Sequence, residues 1–274
     1  MTIQTALHQG SRLLEEAGIA APRLTAEVML SHALGCERSY LYAHPEEELG
    51  HNPWLHYGRY LHERLEGKPT QYITAHQEFY GREFRVTPAV LIPRPETEHV
   101  VEVALRVAPA ARHLLDIGTG SGALAVTLAL ETGAEAWATD ISPAAVAVAA
   151  QNARRLGARV GFVVCDVAGA IAAGSMDLIV SNPPYVPLAQ RDGLQREVRD
   201  WEPPVALFAG ETGLDVYARI VADAPRVLKP GGWLVVELGF GTLEAVTQLL
   251  VGWADVHVEP DLAGIPRVIA AVLR

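Results

Sequence analysis

Residues 114–130 read LLDIGTGSGALAVTLAL. The run up to Ile117 is apolar enough for a buried strand, interrupted by a single carboxylate at Asp116. Three glycines in five positions then let the backbone turn sharply and approach a ligand without β-carbons in the way: Gly118, Gly120 and Gly122, with Thr119 and Ser121 between them. From about Ser121 the residues are helix formers, so the N–H groups and positive dipole end of a helix face the same space. Strand, glycine turn and helix in that order open an α/β unit. The spacing alone leaves the ligand open, since Gly118-x-Gly120-x-x-Ala123 also fits a dinucleotide fingerprint and a close-packed turn would use the same glycines.

Asp140, with Ile141 behind it, ends the next strand-like segment, EAWATD, 22 residues beyond Gly118. An acidic residue at that place holds ribose hydroxyls, whether the ligand is a dinucleotide or S-adenosylmethionine. Asp116 would face the ammonium group if the ligand is S-adenosylmethionine; otherwise it satisfies loop amides. Asp166 and Val167, at the end of GFVVCD, are placed to meet an adenine, although strand ends also carry Asp for local capping. Short apolar segments (HLLDIG, EAWATD, GFVVCD, MDLIVSN, WLVVELG) alternate with helical stretches such as PAAVAVAAQNARRLG, which predicts a parallel sheet covered by helices. The final ADVHVEPDLAGIPRVIAAVL reads as two strands around a loop, an antiparallel pair at the sheet edge.

The fourth strand runs into Ser181-Asn182-Pro183-Pro184-Tyr185. Two prolines cannot continue a strand, because neither has an N–H to donate and each fixes its own φ. The motif therefore freezes the chain at the sheet edge where open α/β sheets bind ligands. Methylation of a planar, conjugated nitrogen makes just these demands. The Asn182 side-chain oxygen accepts one N–H, a backbone carbonyl such as that of Pro183 accepts the other, and Tyr185 offers a flat surface. A proline-stiffened turn with an asparagine cap is the structural alternative.

Bulk properties narrow the setting. The chain has 274 residues, half of them hydrophobic and 20% charged, enough for one large domain and a smaller one. Its net charge is −10, and residues 1–75 hold six basic against nine acidic residues, so no basic stripe for duplex nucleic acid is evident. Two distant cysteines, Cys36 and Cys165, form no disulfide framework or metal knuckle, and the histidines lack zinc-site spacing. No apolar stretch reaches the ~20 residues a membrane helix needs and the N-terminus lacks a signal peptide, so the expected location is the cytoplasm, without a membrane partner. Helices are expected near residues 3–17, over Leu24–Leu34 and over Trp54–Leu65. FYGREFRVTPAVLIP then predicts a hairpin joining two domains.

Taken together, GTGSG, Asp140 and SNPPY resemble the class I S-adenosylmethionine-dependent methyltransferases that act on planar nitrogens. LIPRPETE (91–98), NPPYVP (182–187), WEPPVALFAGETGLDVY (201–217), KPGGWLVVELG (229–239) and DLAGIPRV (261–268) resemble more narrowly the release factor glutamine methyltransferases. That resemblance implies an α/β fold, with a Rossmann-like seven-stranded methyltransferase sheet over 96–274, a hairpin linker over 76–95 and a helical domain over 1–75 that docks the substrate. It implies S-adenosylmethionine as cofactor, S-adenosylhomocysteine as product, and methylation of the glutamine amide in the Gly-Gly-Gln loop of peptide-chain release factors. Asp116, Gly118 to Gly122, Asp140, Ile141, Asp166, Val167 and Asn182 would hold the cofactor, and Asn182, Pro183, Pro184 and Tyr185 the glutamine. Val167 departs from the family pattern, in which an aromatic residue often follows the acidic one. Arg94, Glu96 and Glu237 carry no settled role at this level. Adenine-N6 methylation makes the same demands on NPPY, but neither the acidic balance nor LIPRPETE favours it. A nicotinamide-dependent dehydrogenase would leave NPPY unexplained, and an inactive binding module would not need Gly118, Asp140 and Asn182 intact.

Overall fold

The computed structural model describes residues 1–274, which divide into two units: Met1–Ala75 with Gln195–Trp201, and His76–Leu194 with Glu202–Arg274. In the first, α1 (Ile3–Glu16), α2 (Pro22–Leu34), α3 (Arg38–Ala43), α4 (His51–Leu65) and α5 (Thr70–Thr74) follow one another. Thr2 caps α1 by accepting the Thr5 N–H, and the helix buries Ile3, Ala6, Leu7, Gly10 and Leu14, one face at helical spacing. These residues pack on Met29, Leu30, Leu41, Tyr57 and Leu61. Proline is accommodated at the first position of α2, and Gly35 ends that helix in the left-handed conformation. The third expected helix starts a turn earlier than its apolar pattern, at His51, because Pro53 is tolerated where helix N–H groups have no partner.

The second unit opens with the hairpin β1 (His76–Phe79) and β2 (Arg82–Arg85), antiparallel about Tyr80-Gly81. A 3₁₀ turn over Pro95–Thr97 leads into α6 (Glu98–Val107). Then come β3 (His113–Ile117), α7 (Ala123–Thr132), β4 (Glu135–Asp140), α8 (Pro143–Leu156), β5 (Val160–Val164) and β6 (Met176–Ser181). Beyond β6 the chain contributes α9 (Arg196–Trp201) to the first unit, although the sequence reading keeps this segment with the sheet domain. It returns for α10 (Asp215–Val227), β7 (Leu228–Glu237), α11 (Leu243–Leu249), β8 (Ala254–Pro260) and β9 (Pro266–Val272).

The seven strands lie in the order β5-β4-β3-β6-β7-β9-β8. The first five are mutually parallel, while β9 runs antiparallel to both β7 and β8. The expected parallel sheet and terminal antiparallel pair are therefore present. Apolar residues on its two faces form two cores, one with α6 and α7 around Val100, Leu114 and Leu128, the other with α10 around Leu115, Ile179 and Tyr217. The chain order reverses between β3 and β6, so the ends of these neighbouring strands splay a crevice at the carboxyl edge. Ser181 at the end of β6 donates to Ile117 O at 2.6 Å, fastening the two strand ends together.

Candidate active site

A cavity of about 370 Å³ opens at this switch point. Its wall includes Asp116, Gly118, Thr119, Gly120, Ser121, Asp140, Ile141, Asp166, Val167, Asn182 and Pro184. The glycine turn is held from both sides. Gly118 and Thr119 N–H groups donate to Thr139 O, and the Gly120 N–H donates to Asp140 Oδ2 at 2.9 Å. Asp140 Oδ1 accepts the Ser142 N–H at 2.9 Å, so this carboxylate positions two loops and keeps further lone pairs for a hydroxyl ligand. Gly122 is not part of the wall. It has φ +84°, and a β-carbon there would meet Ala149 of α8 at 3.1 Å, so this glycine serves helix packing.

Asp116 is fully buried at the end of β3. Its Oδ2 accepts the Thr119 hydroxyl at 2.6 Å and the Ala125 N–H at 3.2 Å, while Oδ1 has no partner in the protein. Burial pushes its carboxyl up to about 7, against the two hydrogen bonds and with help from the Asp140 charge. A buried acceptor without a donor, on the wall of a cavity, fits a cationic ligand group such as an ammonium. Asp166 is half exposed and ion-paired to Arg219 of α10. Val167 has φ +50°, with its carbonyl accepting the Thr139 hydroxyl at 2.7 Å.

Pro183 and Tyr185 do not line this cavity. The segment that carries them is pinned by Phe208 and its neighbours: Val186 N–H donates to Leu207 O at 2.9 Å, Ala209 N–H to Val186 O at 3.1 Å and Leu188 N–H to Gly210 O at 2.9 Å. Val205, Ala206, Phe208 and Ala209 thereby become part of the cavity wall. Burial pushes the Tyr185 phenol up to about 12, aided by the Glu237 charge. The LIPRPETE segment joins the site through two side chains. Arg94 donates to the buried Glu202 at 2.6 Å, and the buried Thr97 lies between Asn182 and Glu237. The Asn182 amide donates to Thr97 Oγ1 at 3.0 Å, and the Thr97 hydroxyl donates to Glu237 Oε2 at 2.6 Å. Thr97 is absent from the sequence-level site, where only the strand-end position of Glu237 gave any signal.

Solved structures share this sheet. A methyltransferase from Pyrococcus furiosus superposes with a TM-score of 0.53 at 18% identity, over 71% of this chain and 90% of that one. The T. thermophilus 16S rRNA N2 G1207 methyltransferase, solved with AdoMet and guanosine, gives 0.55 at 23% identity over 73% of this chain and 50% of that one. Residues 98–196 match the methyltransferase small domain family. The fold is therefore that of a methyltransferase. Residues 5–74 match the PrmC N-terminal domain. Over 273 residues, 98% of each chain, the sequence is 46% identical to the release factor glutamine methyltransferase of Koribacter versatilis. It is 44% identical to that of Geobacter sulfurreducens, over 98% of this chain and 95% of the other. The chain belongs to the release factor glutamine methyltransferase family.

Proposed function

We propose that the protein methylates the side-chain amide nitrogen of the glutamine in the Gly-Gly-Gln loop of peptide-chain release factors. The supporting observation is that Asn182, the first residue of NPPY, shares one cavity with the glycine turn, Asp116 and Asp140. When bound there, S-adenosylmethionine supplies an electrophilic methyl group on sulfonium sulfur. Asp116, whose Oδ1 has no partner in the protein, would hold the ammonium group, and Asp140 would hold ribose hydroxyls with the lone pairs that Gly120 and Ser142 leave free. Ile141, Asp166 and Val167, on the same wall, would border the base, with Val167 contributing apolar contact only.

Asn182 Oδ1 accepts one N–H of the glutamine amide and the Pro183 carbonyl accepts the other, which favours a pyramidal nitrogen directed at the methyl group. Pro184 and Tyr185 hold the plane of the amide, one side of the Tyr185 ring being backed by Gly239. Orientation of this kind is worth about 7–11 kcal/mol of barrier, so no base of the chain need take the proton before transfer. The helical first unit, with Leu13, Leu24, Tyr42 and Leu55 exposed on it, docks the body of the release factor.

The test is a mass-spectrometric competition in which enzyme and S-adenosylmethionine meet an unmethylated release factor and adenine-containing DNA together. One methyl on the Gly-Gly-Gln glutamine, with the DNA untouched, is the expected result. Methylated adenine with an unmodified factor overturns the substrate and leaves the planar-nitrogen chemistry standing.

A further inference from the structure

An asparagine amide can present either its oxygen or its nitrogen to a cavity, and only the oxygen can accept an N–H from a substrate amide. What decides between them at Asn182 is Thr97, which shares the cavity wall with it and is itself fixed by Glu237. Thr97 Oγ1 stands 3.0 Å from Asn182 Nδ2 and 2.6 Å from Glu237 Oε2, and both Thr97 and Glu237 are buried. A threonine hydroxyl has a single proton, and an ionised carboxylate can only accept. The Thr97 proton therefore goes to Glu237, and its oxygen is left as an acceptor, which only the nitrogen end of the Asn182 amide can satisfy. No group of the protein donates to Asn182 Oδ1, which is left for the cavity.

We propose that Thr97 and Glu237 are positioning residues for methyl transfer, a two-step relay that turns the Asn182 oxygen towards the substrate amide. The inference rests on the role given above to Asn182 and adds the device that enforces it. The surroundings of Glu237 make the relay sensitive to protonation. Glu96, Arg94 and Arg267 face the carboxylate, together with the phenol of Tyr185, and the Tyr217 hydroxyl donates to the Glu237 backbone carbonyl at 2.7 Å. Burial dominates and pushes Glu237 up to about 7, Glu96 adding to the rise while the Thr97 hydrogen bond and the two arginines oppose it. Once protonated, the carboxyl can donate through Oε2. The Thr97 hydroxyl is then free to donate to Asn182 Oδ1, and the amide loses its single orientation. Methyl transfer thus gains rate as pH rises through the Glu237 ionisation.

The experiment measures single-turnover methyl transfer to an intact release factor, at saturating S-adenosylmethionine, for wild type, Thr97→Val, Thr97→Ser, Asn182→Ala and the Asn182→Ala/Thr97→Val pair. Thr97→Val is expected to slow transfer about 10-fold or more while cofactor Kd stays within about twofold, because a preorganised acceptor is lost while a side chain of the same shape keeps the cavity wall filled. Thr97→Ser restores most of the rate, and Thr97→Val adds nothing in the Asn182→Ala background. A Thr97→Val rate within about twofold of wild type, or an undiminished further loss in the Asn182→Ala background, overturns the relay. Unslowed transfer in Asn182→Ala overturns the role of Asn182 as well, which separates the two failures. Should Thr97→Val not fold, the pH profile decides. Wild type is expected to rise between pH 6 and 8, around the value of about 7, and Glu237→Gln, which can accept but not ionise, is expected to be flat. A flat wild type, or an unchanged rise in Glu237→Gln, overturns the proposal.

Discussion

The ring of Tyr185 lies against Gly239 so closely that a β-carbon at residue 239 would stand 2.6 Å from its Cδ2. Gly239 follows β7 by two residues, and its N–H donates to the buried Tyr217 hydroxyl at 3.1 Å, so this stretch of backbone cannot yield easily. Gly239→Ala should therefore move the ring rather than the strand, with an overpacking cost of about 1–3 kcal/mol. The expected outcome is a loss in kcat/KM for the release factor with nearly unchanged cofactor affinity, read by steady-state kinetics and titration calorimetry. Tyr185→Phe, which removes a hydroxyl without a partner in the fold, should keep most of the rate. An alanine variant with wild-type kinetics would mean that the ring position is immaterial.

Arg94 and Glu202 join LIPRPETE to WEPPVALFAG at 2.6 Å, with the carboxylate side buried and the guanidinium about one-third exposed. Removing the arginine leaves a buried charge short of its counter-ion. For a fully buried pair such a loss costs about 3–5 kcal/mol, and the partial exposure of Arg94 brings the expected value for Arg94→Ala down to about 1–3 kcal/mol. Because Val205, Ala206, Phe208 and Ala209 wall the cavity, cofactor affinity should fall along with stability. Chemical denaturation and calorimetry on the same preparation check both.

The elements that wall the cavity were legible because their signals are local. A strand, a glycine turn and a helix occupy 17 consecutive residues in 114–130, and an aspartate at a strand end announces itself within one segment. The antiparallel β8–β9 pair was legible for the same reason, since both strands and their loop are contiguous. Thr97, in contrast, meets Asn182 across 85 residues and Glu237 across 140, and nothing in the periodicity of any of the three segments encodes that meeting. Gly122 carries a role that spacing alone does not reveal. By spacing it is the third glycine of the turn, and its missing β-carbon also makes room for Ala149 of α8. The place of α9 was hidden too, because its partners lie more than 100 residues upstream.

Those partners make a third prediction. Arg64, buried in the first unit, pairs with Glu197 of α9 at 2.6 Å and donates to Lys68 O at 3.2 Å, while Arg196 donates to Glu66 O at 2.8 Å. Lys68 Nζ lies 5.9 Å from the centre of the Trp201 ring. Arg64→Ala should destabilise this unit by about 2–4 kcal/mol, as expected for breaking a largely buried pair. It should also speed tryptic cleavage after Arg196 and Arg199. Equal cleavage rates in variant and wild type would show that α9 is held by other contacts. A chain cut after residue 75 would lose the same partners, so point substitutions on the outer face of the first unit are the cleaner probe of docking.

Asp116 gives the last prediction, in which stability and affinity run in opposite directions with pH. Its carboxyl is raised from 3.8 to about 7 by burial, so the folded protein without cofactor holds this proton more tightly than the unfolded chain does. The stabilising contribution is complete below the unfolded value and is lost as pH rises through about 7. Glu237, raised to about 7 by the same cause, acts in the same direction. The cofactor-free protein should therefore melt at lower temperature at pH 8 than at pH 6, and Asp116→Asn should weaken that dependence. Binding a cationic ammonium requires the ionised carboxylate, so affinity for S-adenosylmethionine should strengthen over the interval in which the empty protein loses stability. Calorimetric titrations from pH 6 to 7.5 check the affinity, a range over which most of an α-amino group, half deprotonated only near pH 7.7–8.0, keeps its proton. Asp116→Asn should bind weakly and with little pH dependence. Wild-type affinity that is flat over this interval would mean that the unpartnered Oδ1 does not meet the ammonium group.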